Sequence, residues 1–177
     1  MYVGTKTSTG SAFDKAGLNN GKLYVLNVPA AANDNVFRTA IGKNKATPVT
    51  FNEVNWNQTV SDFDKSVTAA GSEFARIEDG EWDPNNSNVF YFLTTESNKD
   101  PIATAPHPST PTVTRDGGAL WRLTFKDAQN PLLGAELEML LNGGENVYMS
   151  KPDNMAVTKD GIVLIQEDPG NNDHVSR

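Results

Sequence analysis

Residues 74–83, F-A-R-I-E-D-G-E-W-D, place Glu78, Asp79, Glu81 and Asp83 within ten positions, just after Arg76. A second acidic stretch, residues 151–170, carries Asp153 and Asn154 at its start and Glu167 and Asp168 near its end. Carboxylate and amide oxygens are the ligands that calcium and other hard cations take. Side chains two apart on a strand share a face. A strand through this segment therefore sets the Arg76 guanidinium beside the Glu78 carboxylate. The same residue types also make turns. Asp83-Pro84-Asn85-Asn86 and Asp160-Gly161 read as turns before they read as ligands, and Asp168-Pro169-Gly170 fits either. Glu78, directly after F-A-R-I, is the acid least explained by a turn.

The elements that position these residues show up as an internal repeat. Y-V-G-T-K-T at 2–7 parallels Y-F-L-T-T-E at 91–96, and G-K-L-Y-V-L-N-V at 21–28 parallels G-A-L-W-R-L-T-F at 118–125. E-D-G-E-W-D-P-N-N at 78–86 lines up with P-D-N-M-A-V-T-K-D at 152–160, which sets Asp79 on Asp153 and Gly80 on Asn154. An apolar strand follows each, V-F-Y-F-L-T-T at 89–95 and I-V-L-I-Q-E-D at 162–168. Short strands joined by glycine and Asp/Asn turns are the pattern of propeller blades. Residues 97–118 form an insertion loop between two of them. L-G-A-E-L-E-M-L-L-N-G, 133–143, fits an outer strand or a short helix. One helix is expected from Ser61, with Asp64 at capping-box spacing, to Gly71, with Phe63 and Val67 on its buried face.

The expected fold is all-β, a partial β-propeller occupying 1–177 as one segment. One blade is whole and two are partial, so the complete domain is expected to extend beyond both ends. Metal and substrate groups then belong in the central channel, where inner strands carrying Arg76, Glu78, Asp79, Asp153 and Asn154 converge, with Glu167 and Asp168 at the same rim.

Composition narrows the chemistry. The 177-residue chain has 22 acids against 15 lysines and arginines and no basic cluster, so nucleic acid is not an expected partner. No cysteine is present, which removes disulfides, zinc–thiolate sites and thiol nucleophiles from this chain. No stretch has the length and apolarity of a membrane span, and no signal peptide is visible at the start. G-T-K-T-S-T-G-S at 4–11 lacks the order of a phosphate-binding P-loop. His107 and His174 have no partner histidine at metal spacing. Trp82 and Trp121 fall at strand positions and are expected in the core.

Taken together, Y-V-G-T-K-T-S-T-G-S-A-F-D-K-A-G-L-N-N-G-K-L-Y-V-L, F-A-R-I-E-D-G-E-W-D-P, F-Y-F-L-T-T, L-W-R-L-T-F and P-D-N-M-A-V-T-K-D-G-I-V-L-I-Q-E-D-P-G resemble the PhoX family of bacterial alkaline phosphatases, over nearly the whole chain. The resemblance implies a large β-propeller with an iron and calcium centre in its channel, acting on a small phosphomonoester. It also implies export, hence a periplasmic or extracellular location. The family's Arg-x-Glu step falls on Arg76 and Glu78, so Glu78 is implied as a metal ligand and Arg76 as the holder of substrate phosphate. An arginine fork suits phosphate, and paired cations stabilise both ends of a displacement at phosphorus. Lys6, in the G-T-K-T step, is a further candidate at the rim. Asp79, Asp153, Asn154, Glu167 and Asp168 complete the implied metal set. One departure stands out: the family's iron site uses a cysteine, absent here, which favours calcium over iron. Two other readings fit the residues. One is a calcium-dependent hydrolase of the lactonase-propeller kind. The other is a non-catalytic propeller whose acids make turns or hold structural calcium.

Overall fold

The computed structural model describes residues 1–95, 117–143, 145, 149 and 151–168. Most regular structure in them is strand. Strands β1 (Tyr2–Val3), β2 (Lys22–Asn27), β3 (Thr47–Val54), β4 (Ile77–Trp82), β5 (Val89–Thr94), β6 (Ala119–Phe125) and β7 (Ala135–Asn142) form one sheet. Its order is β1-β2-β3-β7-β6-β5-β4, antiparallel throughout. Strands β8 (Pro152–Val157) and β9 (Val163–Glu167) form a separate antiparallel hairpin.

The all-β, propeller-like reading holds. The strands β4-β5-β6-β7 make a four-stranded meander, the unit of a blade. Before it stand three antiparallel strands, β1-β2-β3, and after it the antiparallel hairpin β8-β9. The first two units are not separate blades, however. Their outer strands pair, Thr47 with Leu137 and Val49 with Ala135, so one seven-stranded sheet runs through both. In β1, Tyr2 faces Leu23, as Leu93 faces Leu120. The true counterpart of Tyr2 is thus Leu93, two residues from the Tyr91 that sequence alignment chose.

Segment 133–143 forms a strand over Ala135–Asn142, paired on both sides, with the burial period of a strand. Ala135, Leu137 and Met139 are buried while Glu136 and Glu138 face outward, an alternation of two that no helix could bury. Glu138 pairs across to Arg122 on β6. The core lies on the opposite face, around Trp121. Its ring meets Phe37 and Phe74 edge-on, each at 5.1 Å, and stacks with Phe92 at 6.1 Å, while its indole N–H donates to Thr94 Oγ1 at 3.0 Å. Trp82 differs from expectation. It is 47% exposed, because it ends β4 at the sheet's edge, where β8 approaches without joining the ladder.

Helical segments number more than the one expected. Helix α1 (Ala12–Ala16) has a full capping box from Ser11 and Asp14. Helix α2 (Asp34–Val36) runs into a π turn at Phe37–Ile41. The expected helix is α3 (Val60–Ala70), capped by Thr59 rather than Ser61; the Thr59 hydroxyl accepts from Asp62 N at 3.2 Å. Phe63 and Val67 are half-buried on one side, as the spacing predicts.

Candidate functional site

The first acidic segment is shaped by a corner and a bulge. Arg76 does not lie within a strand. It is the last residue before β4 and has a left-handed backbone, φ 51°. Its carbonyl accepts from Thr95 N at 2.9 Å, closing the β4–β5 ladder. Ile77 pairs with Thr94, but the next pair is Gly80 with Phe92, so β4 carries one extra residue there. Such a bulge re-aims the side chains on it, and these are Glu78 and Asp79. Arg76 and Glu78 do meet, with guanidinium nitrogen to carboxylate oxygen at 3.1 Å. The corner and the bulge bring them together, not simple alternation along a strand.

The second acidic segment has the same build. Lys151 precedes β8 with φ 47°, and its carbonyl accepts from Asp168 N at 2.9 Å. Pro152 pairs with Glu167, and one extra residue follows before Asn154 pairs with Gln166. Matching corner to corner moves the repeat by one position. Glu78 corresponds to Asp153 and Asp79 to Asn154, not Asp79 to Asp153. Asp153 accepts from the Asn154 side-chain amide at 3.1 Å. Glu167 is buried, 5% exposed, beneath this corner.

The remaining β4 acids fasten the two hairpins together. Asp79 Oδ1 accepts from Gly80 N at 2.8 Å and its Oδ2 from Met155 N at 2.9 Å. Glu81 accepts from Val157 N at 2.6 Å. The Asn85 side chain donates to Lys159 O at 2.8 Å, and Thr95 Oγ1 donates to Pro152 O at 2.9 Å. Strand β8 thus runs parallel to β4, bound by side chains instead of a ladder. Asp83 caps its own turn, accepting from Asn85 N at 2.8 Å, as its Asp-Pro context predicts. Asp160-Gly161 is likewise a turn, with Gly161 at φ 81°.

Residues 2–176 match the family model described as alkaline phosphatase PhoX. The chain belongs to that family. No curated protein and no solved structure matches it.

Within this PhoX-family chain, Glu78 and Asp79 also line an apolar cavity of about 450 Å³, whose walls include Leu26, Phe51, Trp82, Phe90 and Phe125. Lys6 lies in the exposed loop after β1 and lines a neighbouring cavity of about 590 Å³. Met1, Trp82 and Phe125 line both. Lys6 is therefore across the Trp82–Phe125 wall from Glu78. Among the described residues, no three acids or histidines come together closely enough to hold a metal ion. Hard cations take six to eight oxygens, and Asp79 spends both of its oxygens on backbone amides. The donors here are all oxygen, with no thiolate, a set that fits calcium better than iron. A cation at this rim therefore needs donors beyond these residues. His107, His174 and most of the 97–118 insertion lie outside the described residues, as do Pro169 and Gly170. Sequence reasoning missed Thr95 and Lys151. The repeat itself was their signal, once framed on the corners.

Proposed function

We propose that this segment forms part of the active site of a phosphomonoester hydrolase, with Arg76 as the phosphate holder. The observation that carries this is the Arg76–Glu78 pair, fixed on a left-handed corner in a chain of the alkaline phosphatase PhoX family. A non-glycine residue in this backbone region costs roughly 1–2 kcal/mol. Such outliers gather at functional sites. The guanidinium offers a planar fork to phosphate oxygens. Glu78 orients it while the site is empty of substrate.

Glu78, Asp153, Asn154, Glu167 and Asp168 are the oxygen donors this chain offers to calcium, which supplies charge neutralisation at the transferred phosphoryl group when bound. Asp79 serves by holding β8 against β4, keeping the two acidic corners in one frame. Lys6, across the aromatic wall from Glu78, is a further candidate at the rim. The substrate is a small phosphomonoester, and the location is periplasmic or extracellular. No helix among the described residues is long and apolar enough to cross a membrane.

Phosphate release from a simple monoester, measured on the full-length protein with and without a calcium chelator, tests the reading. Release is expected to stop with the chelator and in Glu78→Gln. Arg76→Ala is expected to lose phosphate affinity while keeping its bound metal. A protein that hydrolyses no monoester, or hydrolyses lactones instead, overturns it.

A further inference from the structure

Lys151 stands where Arg76 stands. Both are cations with a left-handed backbone, φ 47° and 51°. Each carbonyl accepts, at 2.9 Å, from the residue just past the partner strand, Asp168 or Thr95. Each is followed two residues on by an acid, Glu78 or Asp153, at a bulge. Glycine or asparagine fills such a corner with less strain. A corner needed only for its backbone has no use for a long cation, yet both corners carry one.

The two corners are also physically joined. Thr95, fully buried, donates its N–H to Arg76 O and its hydroxyl to Pro152 O, each at 2.9 Å. Two such bonds and one threonine's width hold those carbonyl oxygens within roughly 9 Å of each other. Arginine and lysine side chains each reach about 6–7 Å, a length comparable to the spacing of the two corners. Asp153 accepts from the Asn154 side-chain amide, and among the described residues the Lys151 ammonium forms no ion pair.

We propose that Lys151 is a second phosphate-holding residue, so that Arg76 and Lys151 bind one phosphate from adjacent corners. This rests on the phosphomonoesterase reading of the same rim. The guanidinium fork takes two oxygens and the ammonium, as a point charge, takes a third.

The test uses the full-length protein. It measures monoester turnover, inhibition by inorganic phosphate, and direct calorimetric binding of inorganic phosphate. Lys151→Gln is expected to raise KM and the phosphate inhibition constant about tenfold, the loss of one charge-assisted bond. Its kcat is expected to change far less, and Lys151→Arg to recover affinity. Lys151→Gly, which relaxes the corner, is expected to lose affinity equally while melting no lower than wild type. Wild-type phosphate affinity in Lys151→Gln and Lys151→Gly, with Arg76→Ala impaired, overturns the proposal. So does an effect confined to melting temperature, or wild-type protein that binds no phosphate. Lys151-dependent phosphate binding without monoester turnover would leave this assignment standing and remove the phosphatase reading instead.

Discussion

Removing the Asp79 carboxylate is expected to loosen the β8–β9 hairpin from the sheet before it affects anything else. Asp79 accepts two backbone N–H bonds, and only the one from Met155, at 2.9 Å, crosses between the units. Hydrogen bonds to a charged acceptor contribute about 1.5–3 kcal/mol, against about 0.5–1.5 for neutral ones. Asp79 and Met155 are both half-buried, so water replaces the lost partner only in part. Asp79→Ala should therefore cost about 2 kcal/mol in docking the hairpin. Asp79→Asn keeps one acceptor oxygen and should cost about 1 kcal/mol. The loss is local, since the β8–β9 ladder and the β4–β5 ladder keep their own bonds. Hydrogen exchange of the Met155 amide reads it directly: about 30-fold faster in Asp79→Ala, the factor that 2 kcal/mol implies. Amides in the core of β6 should exchange as before. A Met155 amide equally protected in wild type and Asp79→Ala refutes the idea that β4 acids hold β8.

Two further outcomes follow from the packing and the caps. Trp121 is fully buried against three aromatic rings, so Trp121→Ala should cost about 3–5 kcal/mol in urea unfolding, and Trp121→Phe less, chiefly the indole bond to Thr94. Asp14 is held below the usual carboxylate range, first by the Ser11 hydroxyl, then by the Asn19 amide and the Ser11 N–H. Its capping contribution to α1 should be complete above the unfolded value of about 3.9 and disappear as pH falls through the lower folded value. An NMR titration of the Asp14 carboxyl checks this, and an ordinary midpoint there would count against the cap.

Much of the local structure was legible in the residues. Asp83-Pro84 and Asp160-Gly161 formed turns because their backbone preferences act within four residues. Helix α3 appeared with its buried Phe63–Val67 side and ended at Gly71. Its start lies two residues earlier because Thr59, as good a cap as Ser61, accepts from Asp62 N. The 133–143 segment was ambiguous on length and composition. Pairing of Leu137 with Leu123, and of Val49 with Ala135, decided for the strand. The site residues were legible as types, and the Arg76–Glu78 pair was anticipated. What each of the other acids touches was not.

The sequence by itself determined that this chain is a series of strand–turn–strand units of the alkaline phosphatase PhoX kind, with acids gathered at two equivalent places. Those features rest on period-2 burial, turn chemistry and the order of motifs, all written along the chain. Only the tertiary structure decided that outer strands β3 and β7 join two units into one sheet. Only it placed Arg76 and Lys151 on left-handed corners, shifted the repeat by one residue, and gave Asp79 and Glu81 the β8 amides they accept from. The reason is that strand edges, bulges and unpaired backbone N–H groups are satisfied by partners far away in sequence. The Asp79–Met155 bond closes across 76 residues, a distance at which no local pattern can say which amide a carboxylate will meet.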